Sequence, residues 1–259
     1  MSGRLPRWLG VVVAGVYLFL HLPLLVLIAF SFNESRFSAA WTGFTLEWYR
    51  RLLEREDILL GLRNSLIVGL TTTALATLGG TLLALALARH RFRGRRVAES
   101  LLYVPLVTPE IVVGISLLSL FAAVRISLGL GTIIVAHVAF CLSFVTVVVR
   151  ARLADMDSAL EEAALTLGAD ELSVFRRVTL PQLAPGIAAG ALLAFILSFD
   201  DYVITSLVAG SGSSTLPVVV YGMVRRTIEP TVNAISTIVL VVTAVLIYLA
   251  DRLSRGYAR

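Results

Sequence analysis

The chain has 259 residues, of which 58% are apolar and only 15% are charged, and its mean hydropathy is +0.89. This balance excludes an ordinary soluble domain, in which about a quarter of the residues are charged. The net charge of +5 does not call for a nucleic-acid partner, because arginines beside membrane helices bind anionic lipid and explain the charge more simply.

Six apolar stretches predict the fold, since each is close to the roughly 20 residues that an α-helix needs to cross a bilayer. In chain order they are residues 8–30, 65–88, 101–123, 131–149, 186–209 and 233–250. The stretches are continuous rather than alternating, which indicates a helical bundle and not a barrel. We therefore predict an all-α membrane protein with six transmembrane helices. It forms one domain over residues 1–259, with a first helix at 8–30 and a core five-helix unit at about 61–250.

The first stretch follows Arg4 and Arg7, as the apolar part of a secretory leader would. It is too long for a leader, and residues 30–33 do not form a small-residue cleavage site. We expect it to remain as the first transmembrane helix.

The arginines predict the orientation of the chain. All 22 basic residues are arginine, and an N-in, C-in topology places 14 of them in the cytoplasm and 8 outside. Because there is no lysine, the chain has no phosphate-binding loop of the kind found in P-loop ATPases. We expect no cofactor in this chain, with ATP and Mg²⁺ bound by a partner.

Residues 45–60 form an amphipathic segment between the first two stretches. Leu46, Tyr49 and Leu52 recur at helical spacing with charged residues between them. The pattern predicts a short helix along the outer surface, and contact with an extracytoplasmic partner is a second interpretation.

The third and fourth stretches carry one acidic and one imidazole side chain. Glu110 is flanked by Pro105 and Pro109, which free carbonyl groups that can line a cavity. We predict that Glu110 lies on a substrate pathway, and the alternative is an ion pair with Arg125 or with another subunit. His137 is interpreted as a hydrogen-bonded residue between helices.

The loop at about 150–183 predicts two short helices. Leu160, Ala163, Ala164 and Leu167 share one helical face. The next residue, Gly168, permits the chain to turn. From these residues alone, docking of this face to a partner and packing of it under the chain's own bundle are equally supported.

The second helix of the loop has its own start and stop signals. Asp170 is a candidate N-cap, and Pro181 and Pro185 are expected to break the helix before the fifth stretch.

The fifth stretch contains two adjacent carboxylates, Asp200 and Asp201, about 14 residues in and roughly 21 Å from its cytoplasmic end. A carboxylate at the centre of a membrane helix costs about 2.5 to 3.5 kcal/mol, so such groups face a partner or a wet pathway. Tyr202 follows them, and its ring could stack on an ammonium group. Together with Glu110 these residues favour a cationic solute such as a polyamine. The alternative is that Asp200 caps a broken helix.

The loop resembles that of bacterial ABC importer permeases. The match consists of Glu162, Ala163 and Ala164, then Gly168, and then the ending of Val178, Leu180 and Pro181, with valine where the family has isoleucine. In that family the loop fits into a cleft of a cytoplasmic ATPase. The resemblance implies polar contact with the ATPase at Glu162, close packing at the two alanines and the bend at Gly168.

A second resemblance covers residues 17–247. SFNESRF, RHRFRG, VTPEIVVGISLL, LSFDDYVITSLVAG, TLPVVVYGMVRR and EPTVNAISTI are similar to the second permease subunit of spermidine and putrescine importers. This implies the six-helix bundle of type I (MetI-like) importer permeases in a bacterial inner membrane. It also implies three partners, namely a cytoplasmic ABC ATPase dimer, a second, homologous permease subunit and an extracytoplasmic binding protein.

Three other functions remain as alternatives. A related permease could import another small solute, and an ion-coupled secondary transporter also carries intramembrane carboxylates. A membrane enzyme is the third, but HExxH and G-x-S-x-G motifs are absent from the sequence. We therefore predict no catalytic residue and no metal ligand.

Overall fold

The computed structural model describes residues 7–36, 40–226 and 230–256, and these are almost entirely helical, which confirms the predicted all-α class. The helices are α1 (Arg7–Phe30), α2 (Glu47–Glu54), α3 (Glu56–Arg89), α4 (Arg95–Val107), α5 (Glu110–Ala123), α6 (Leu130–Ala154), α7 (Ala159–Thr166), α8 (Glu171–Val174), α9 (Leu180–Phe199), α10 (Val203–Val208), α11 (Leu216–Arg226) and α12 (Pro230–Gly256). A π-helical turn, Phe175–Thr179, joins α8 to α9.

Four helical segments of the described chain are long and apolar enough to cross a membrane, and a fifth crossing results if the bent pair α4 and α5 counts as one span. The predicted first, second, fourth and sixth stretches fall within α1, α3, α6 and α12. The number of crossings and the orientation stay predictions.

The third predicted span is wrong as a single helix. Residues 101–123 form the end of α4 and all of α5, which meet at an angle of 115°. Thr108 is extended, with ψ of 132°, because the following Pro109 disfavours the helical conformation of the residue before it. The break places Glu110 at the first position of a new helix.

The predicted helix break at Pro181 and Pro185 is also wrong. The chain stays helical from Glu171 to Phe199, and Pro185 lies inside α9. Proline removes one backbone donor, and the π-helical turn just before Pro181 changes the hydrogen-bond register at that point. The real break comes later, at residues 200–202, so α10 is separate from α9.

Contacts divide the chain into two compact units, Met1–Leu59 with Val220–Val245 and Leu60–Val219 with Leu246–Arg259. In the first unit, Asn33 is buried and organises the turn after α1. Its side chain donates to the carbonyl of Ala40 at 2.7 Å and accepts from the amide of Thr42 at 2.9 Å. Its carbonyl accepts from Nε1 of Trp48 at 2.7 Å. The buried amide is thereby satisfied.

The predicted surface helix at 45–60 is shorter than expected. It corresponds to α2, which ends at Glu54 because Arg55 is extended, with ψ of 104°. Residues 56–60 belong to the long helix α3.

The second unit is built around α6, which packs against α4, α5, α9 and α10. Val145 of α6 is fully buried. A Cβ atom added at Gly80 of α3 would lie 2.8 Å from the Val145 side chain, and one at Gly190 of α9 would lie 3.2 Å from it. Small residues thus let α3 and α9 approach α6 closely, as is common between membrane helices.

Candidate functional site

The segment matching the permease loop, which we call the docking segment, comprises α7, the turn at Gly168 and α8. Gly168 has a φ of 88°, so it is the residue that reverses the chain between the two helices, as predicted. Asp170 accepts a hydrogen bond from the amide of Ser173 at 3.3 Å and caps α8. Bonds from Ser173 hold the pKa of this exposed carboxyl below its usual value, and the predicted N-cap is confirmed.

The apolar face of α7 does not pack under the chain's own described helices. Leu160 is 53% exposed and Leu167 is 88% exposed, and no residue of α7 is buried. Of the predicted docking residues, Glu162, Ala163, Leu180 and Pro181 are exposed and Ala164 is half-buried. The structure therefore leaves this face open to a partner of the chain.

No role was predicted from the sequence for Glu161, the residue before Glu162. Oε1 of Glu161 accepts hydrogen bonds from Nη2 of Arg89 and from Oγ1 of Thr179, each at 2.5 Å. Partial burial raises the pKa of Glu161, but these two hydrogen bonds and the positive charge of Arg89 outweigh it and hold the pKa below its ordinary value. The signal was weak in the sequence, because Arg89 lies 72 residues away.

The two adjacent carboxylates behave differently. Asp200 is exposed and occupies the C-cap position of α9. The side chain of Asp201 is only 7% exposed. Its Oδ2 accepts from the amide of Thr205 at 2.7 Å and from the Thr205 hydroxyl at 2.8 Å, at the start of α10. Capping at the helix break is therefore done by Asp201, whereas the sequence suggested Asp200.

His137 of α6 completes the surroundings of Asp201. Its Nδ1 lies 2.8 Å from the Ser198 hydroxyl, and its Nε2 lies 3.2 Å from Oδ2 of Asp201 and 3.0 Å from Oγ1 of Thr205. The interpretation of His137 as a hydrogen-bonded residue between helices is confirmed. Ser198 and Thr205 were missed, because single hydroxyl residues in apolar stretches carry no distinctive pattern.

Glu110 is exposed at the first position of α5. Helix α5 packs against α10, so the break before Glu110 lies near the break at residues 200–202. The two helices approach closely at Gly114, where an added Cβ atom would meet the side chain of Leu207.

The alternative interpretation of Glu110 was an ion pair with Arg125. Among the described residues no ion pair joins Glu110 to Arg125, and neither Asp200 nor Asp201 pairs with an arginine. Tyr202 is half-buried at the start of α10. Glu110 and Asp200 are thus exposed carboxyl groups without an arginine partner among the described residues.

No metal site comes together in the part of the chain that the structure describes, since no three His, Cys, Asp or Glu side chains are grouped there.

The family model and the relatives that match this chain all describe components of transport systems. Residues 76–259 match the family model described as the binding-protein-dependent transport system inner membrane component. The chain is 41% identical over 255 residues to the spermidine/putrescine transport system permease protein PotC of Escherichia coli (strain K12), covering 98% of this chain and 96% of that protein. It is 40% identical over 240 residues to the putrescine transport system permease protein PotI of the same strain, covering 90% of this chain and 85% of PotI.

A solved structure shares the fold. It is a bacterial ABC transporter involved in the import of the acidic polysaccharide alginate, with a TM-score of 0.76 and 17% identity over 97% of this chain and 98% of that one. At this identity the likeness concerns the fold alone, and it agrees with the fold class predicted from the sequence.

Proposed function

Because the chain belongs to the family of binding-protein-dependent transport system inner membrane components, we propose that it forms half of the translocation pathway of an ATP-driven polyamine importer. A second, homologous permease subunit forms the other half, and an extracytoplasmic binding protein delivers the solute. A separate ABC ATPase dimer binds ATP and Mg²⁺. The chain itself takes part in transport and catalyses no chemical reaction.

The observation that carries the polyamine assignment is the exposed acid at the two helix breaks. Glu110 and Asp200 are exposed, and neither has an arginine partner among the described residues. Carboxylates attract the ammonium groups of a diamine or polyamine, and they repel an anion. The similarity to permeases for putrescine and spermidine supports the same solute class.

The open face of α7 supports docking of the ATPase. Leu160 in α7 and Leu167 just after it are exposed on this face, and the carboxylate of Glu162 is exposed on another side of the helix. Large apolar side chains that are exposed together mark a protein contact surface. In this proposal Ala163 and Ala164 allow close approach of the ATPase, while Leu180 and Pro181 begin the membrane helix that follows.

The proposed topology has six crossings with both termini in the cytoplasm of a bacterial cell, in the inner membrane. It counts α4 and α5 as one broken span and α12 as the last. The 27 residues of α12 would extend about 40 Å, which is enough for a bilayer. The arginine distribution supports this orientation.

Uptake by the reconstituted complex tests the function. We expect proteoliposomes that contain this chain, its partner permease and the ATPase to take up labelled putrescine or spermidine only when the binding protein and internal ATP are present. Glu162→Lys should abolish uptake and leave the chain in the membrane.

Two outcomes would contradict the proposal. ATP-driven uptake of an unrelated solute without polyamine uptake would refute the polyamine assignment. Uptake that persists without ATP and collapses with an ion gradient would indicate a secondary transporter instead.

A further inference from the structure

We propose that Glu161 is a positioning residue that links the docking segment to two membrane helices, so that a displacement of α7 moves α3 and α9 together. This inference rests on the proposed function, because it requires an ATPase that binds at α7. We call the group of Glu161, Arg89 and Thr179 the Glu161 junction.

The junction joins three separate elements at one atom. Arg89 is the last residue of α3, Glu161 lies in the first turn of α7, and Thr179 is the last residue of the π-helical turn before α9. Both donors reach the same oxygen, Oε1 of Glu161. A carboxylate oxygen held by two donors from different helices fixes the distance between all three elements.

Two neighbouring carboxylates of α7 are thereby assigned different tasks. Adjacent helical residues point about 100° apart. Glu162 faces outward and is exposed, whereas the side chain of Glu161 is only 20% exposed. One carboxylate is available to a partner, and the other is committed to the chain's own helices.

Burial makes the junction more than a surface ion pair. Thr179 is fully buried, and Glu161 is the acceptor of its hydroxyl hydrogen bond. Removing the carboxylate would leave a buried hydroxyl without that acceptor, which is costly, whereas exposed ion pairs contribute little.

The junction also holds the helix where its backbone is least regular. The π-helical turn ends at Thr179, and Pro181 then contributes no backbone donor. Because α7 contacts this turn, a displacement of the docking segment would act directly on the start of α9.

The test compares two glutamates in the full complex with its ATPase. Glu161→Gln removes the charge of the junction and keeps the side-chain shape. The matched control is Glu54→Gln, which removes an exposed carboxylate that pairs with Arg50 within α2. Two quantities are measured for each variant: the amount of ATPase that co-purifies, and the polyamine imported per ATP hydrolysed.

We expect Glu161→Gln to retain the ATPase and to import about twofold to thirtyfold less polyamine per ATP, the range found for residues within a coupling network. Thr179→Val should change the ratio in the same direction, and Glu54→Gln should leave it unchanged. The exchange Arg89→Glu with Glu161→Arg should recover part of the ratio, because the threonine hydroxyl can accept as well as donate.

The outcomes distinguish a failure of the proposed function from a failure of the role assigned to Glu161. Wild-type chain that fails to bind an ATPase would refute the proposed function. An unchanged ratio in Glu161→Gln would overturn the role of Glu161, and so would loss of ATPase binding in proportion to import, since Glu161 would then be a docking contact. If Glu161→Gln does not accumulate, Thr179→Val and Arg89→Gln decide the question, and an unchanged ratio in both overturns the inference.

Discussion

His137 and Asp201 are 64 positions apart in the chain, yet Nε2 of the imidazole lies 3.2 Å from Oδ2 of the carboxylate. Both side chains are almost completely buried, at 2% and 7% exposure. The contact fastens the helix break at residues 200–202 to α6. Asp201 therefore has a structural task that its exposed neighbour Asp200 does not share.

The two aspartates should respond differently to substitution. We expect Asp201→Ala to destabilise the protein by about 1.5 to 3 kcal/mol, the value of hydrogen bonds to a charged group, because Thr205 and His137 lose their acceptor. Asp200→Ala should leave thermal stability unchanged and raise the polyamine concentration needed for half-maximal uptake. Equal stability losses in the two variants, measured by thermal unfolding in detergent, would contradict this assignment.

Gly168 should be replaceable only by residues that accept a left-handed backbone. A Cβ atom there meets no neighbour within 4 Å, so the cost of alanine comes from its φ of 88° alone. We expect Gly168→Ala to cost about 1 to 2 kcal/mol and to weaken ATPase co-purification. Gly168→Asn should be milder, because asparagine visits this region more readily. If Gly168→Asn cost more stability than Gly168→Ala, the left-handed backbone conformation would not be the cause of the loss.

Gly186 should not tolerate even a methyl group. Its added Cβ would lie 2.6 Å from Cβ of Arg152, close to the α6 backbone where little adjustment is possible. We expect Gly186→Ala to lower stability by about 1 to 3 kcal/mol, the usual cost of overpacking. Gly131→Ala, at an open position of α6, is the control and should be neutral or stabilising. A Gly186→Ala protein with the thermal midpoint of the wild type would refute the close approach.

The contribution of Glu161 to stability should depend on pH. Its pKa in the folded protein is lower than its ordinary value of 4.5, so the ionised form is favoured by folding. The stabilisation is therefore fully present above pH 4.5 and is lost as the pH falls through the folded pKa. The difference in thermal midpoint between wild type and Glu161→Gln should be constant near neutral pH and shrink in acid. A difference that grows in acid would contradict the sign.

Local signals in the sequence were sufficient for some features and not for others. The Asp170 cap and the turn at Gly168 depend on residues only a few positions apart, and both were predicted. The bond from Arg89 and the identity of the partners of His137 depend on how distant helices pack, which helical periodicity does not specify. Pro181 misled the prediction, because a π-helical turn absorbed a proline that normally ends a helix.

The packing of Val145 restricts the relative movement of α3, α6 and α9. Its side chain fills the space that the missing side chains of Gly80 and Gly190 leave on α3 and α9. Close packing of this kind resists sliding of α3 or α9 along α6. We therefore expect the three helices to keep their positions relative to one another. In the proposed transport cycle we therefore expect bending at the helix breaks at residues 108–109 and 200–202, next to Glu110 and Asp200.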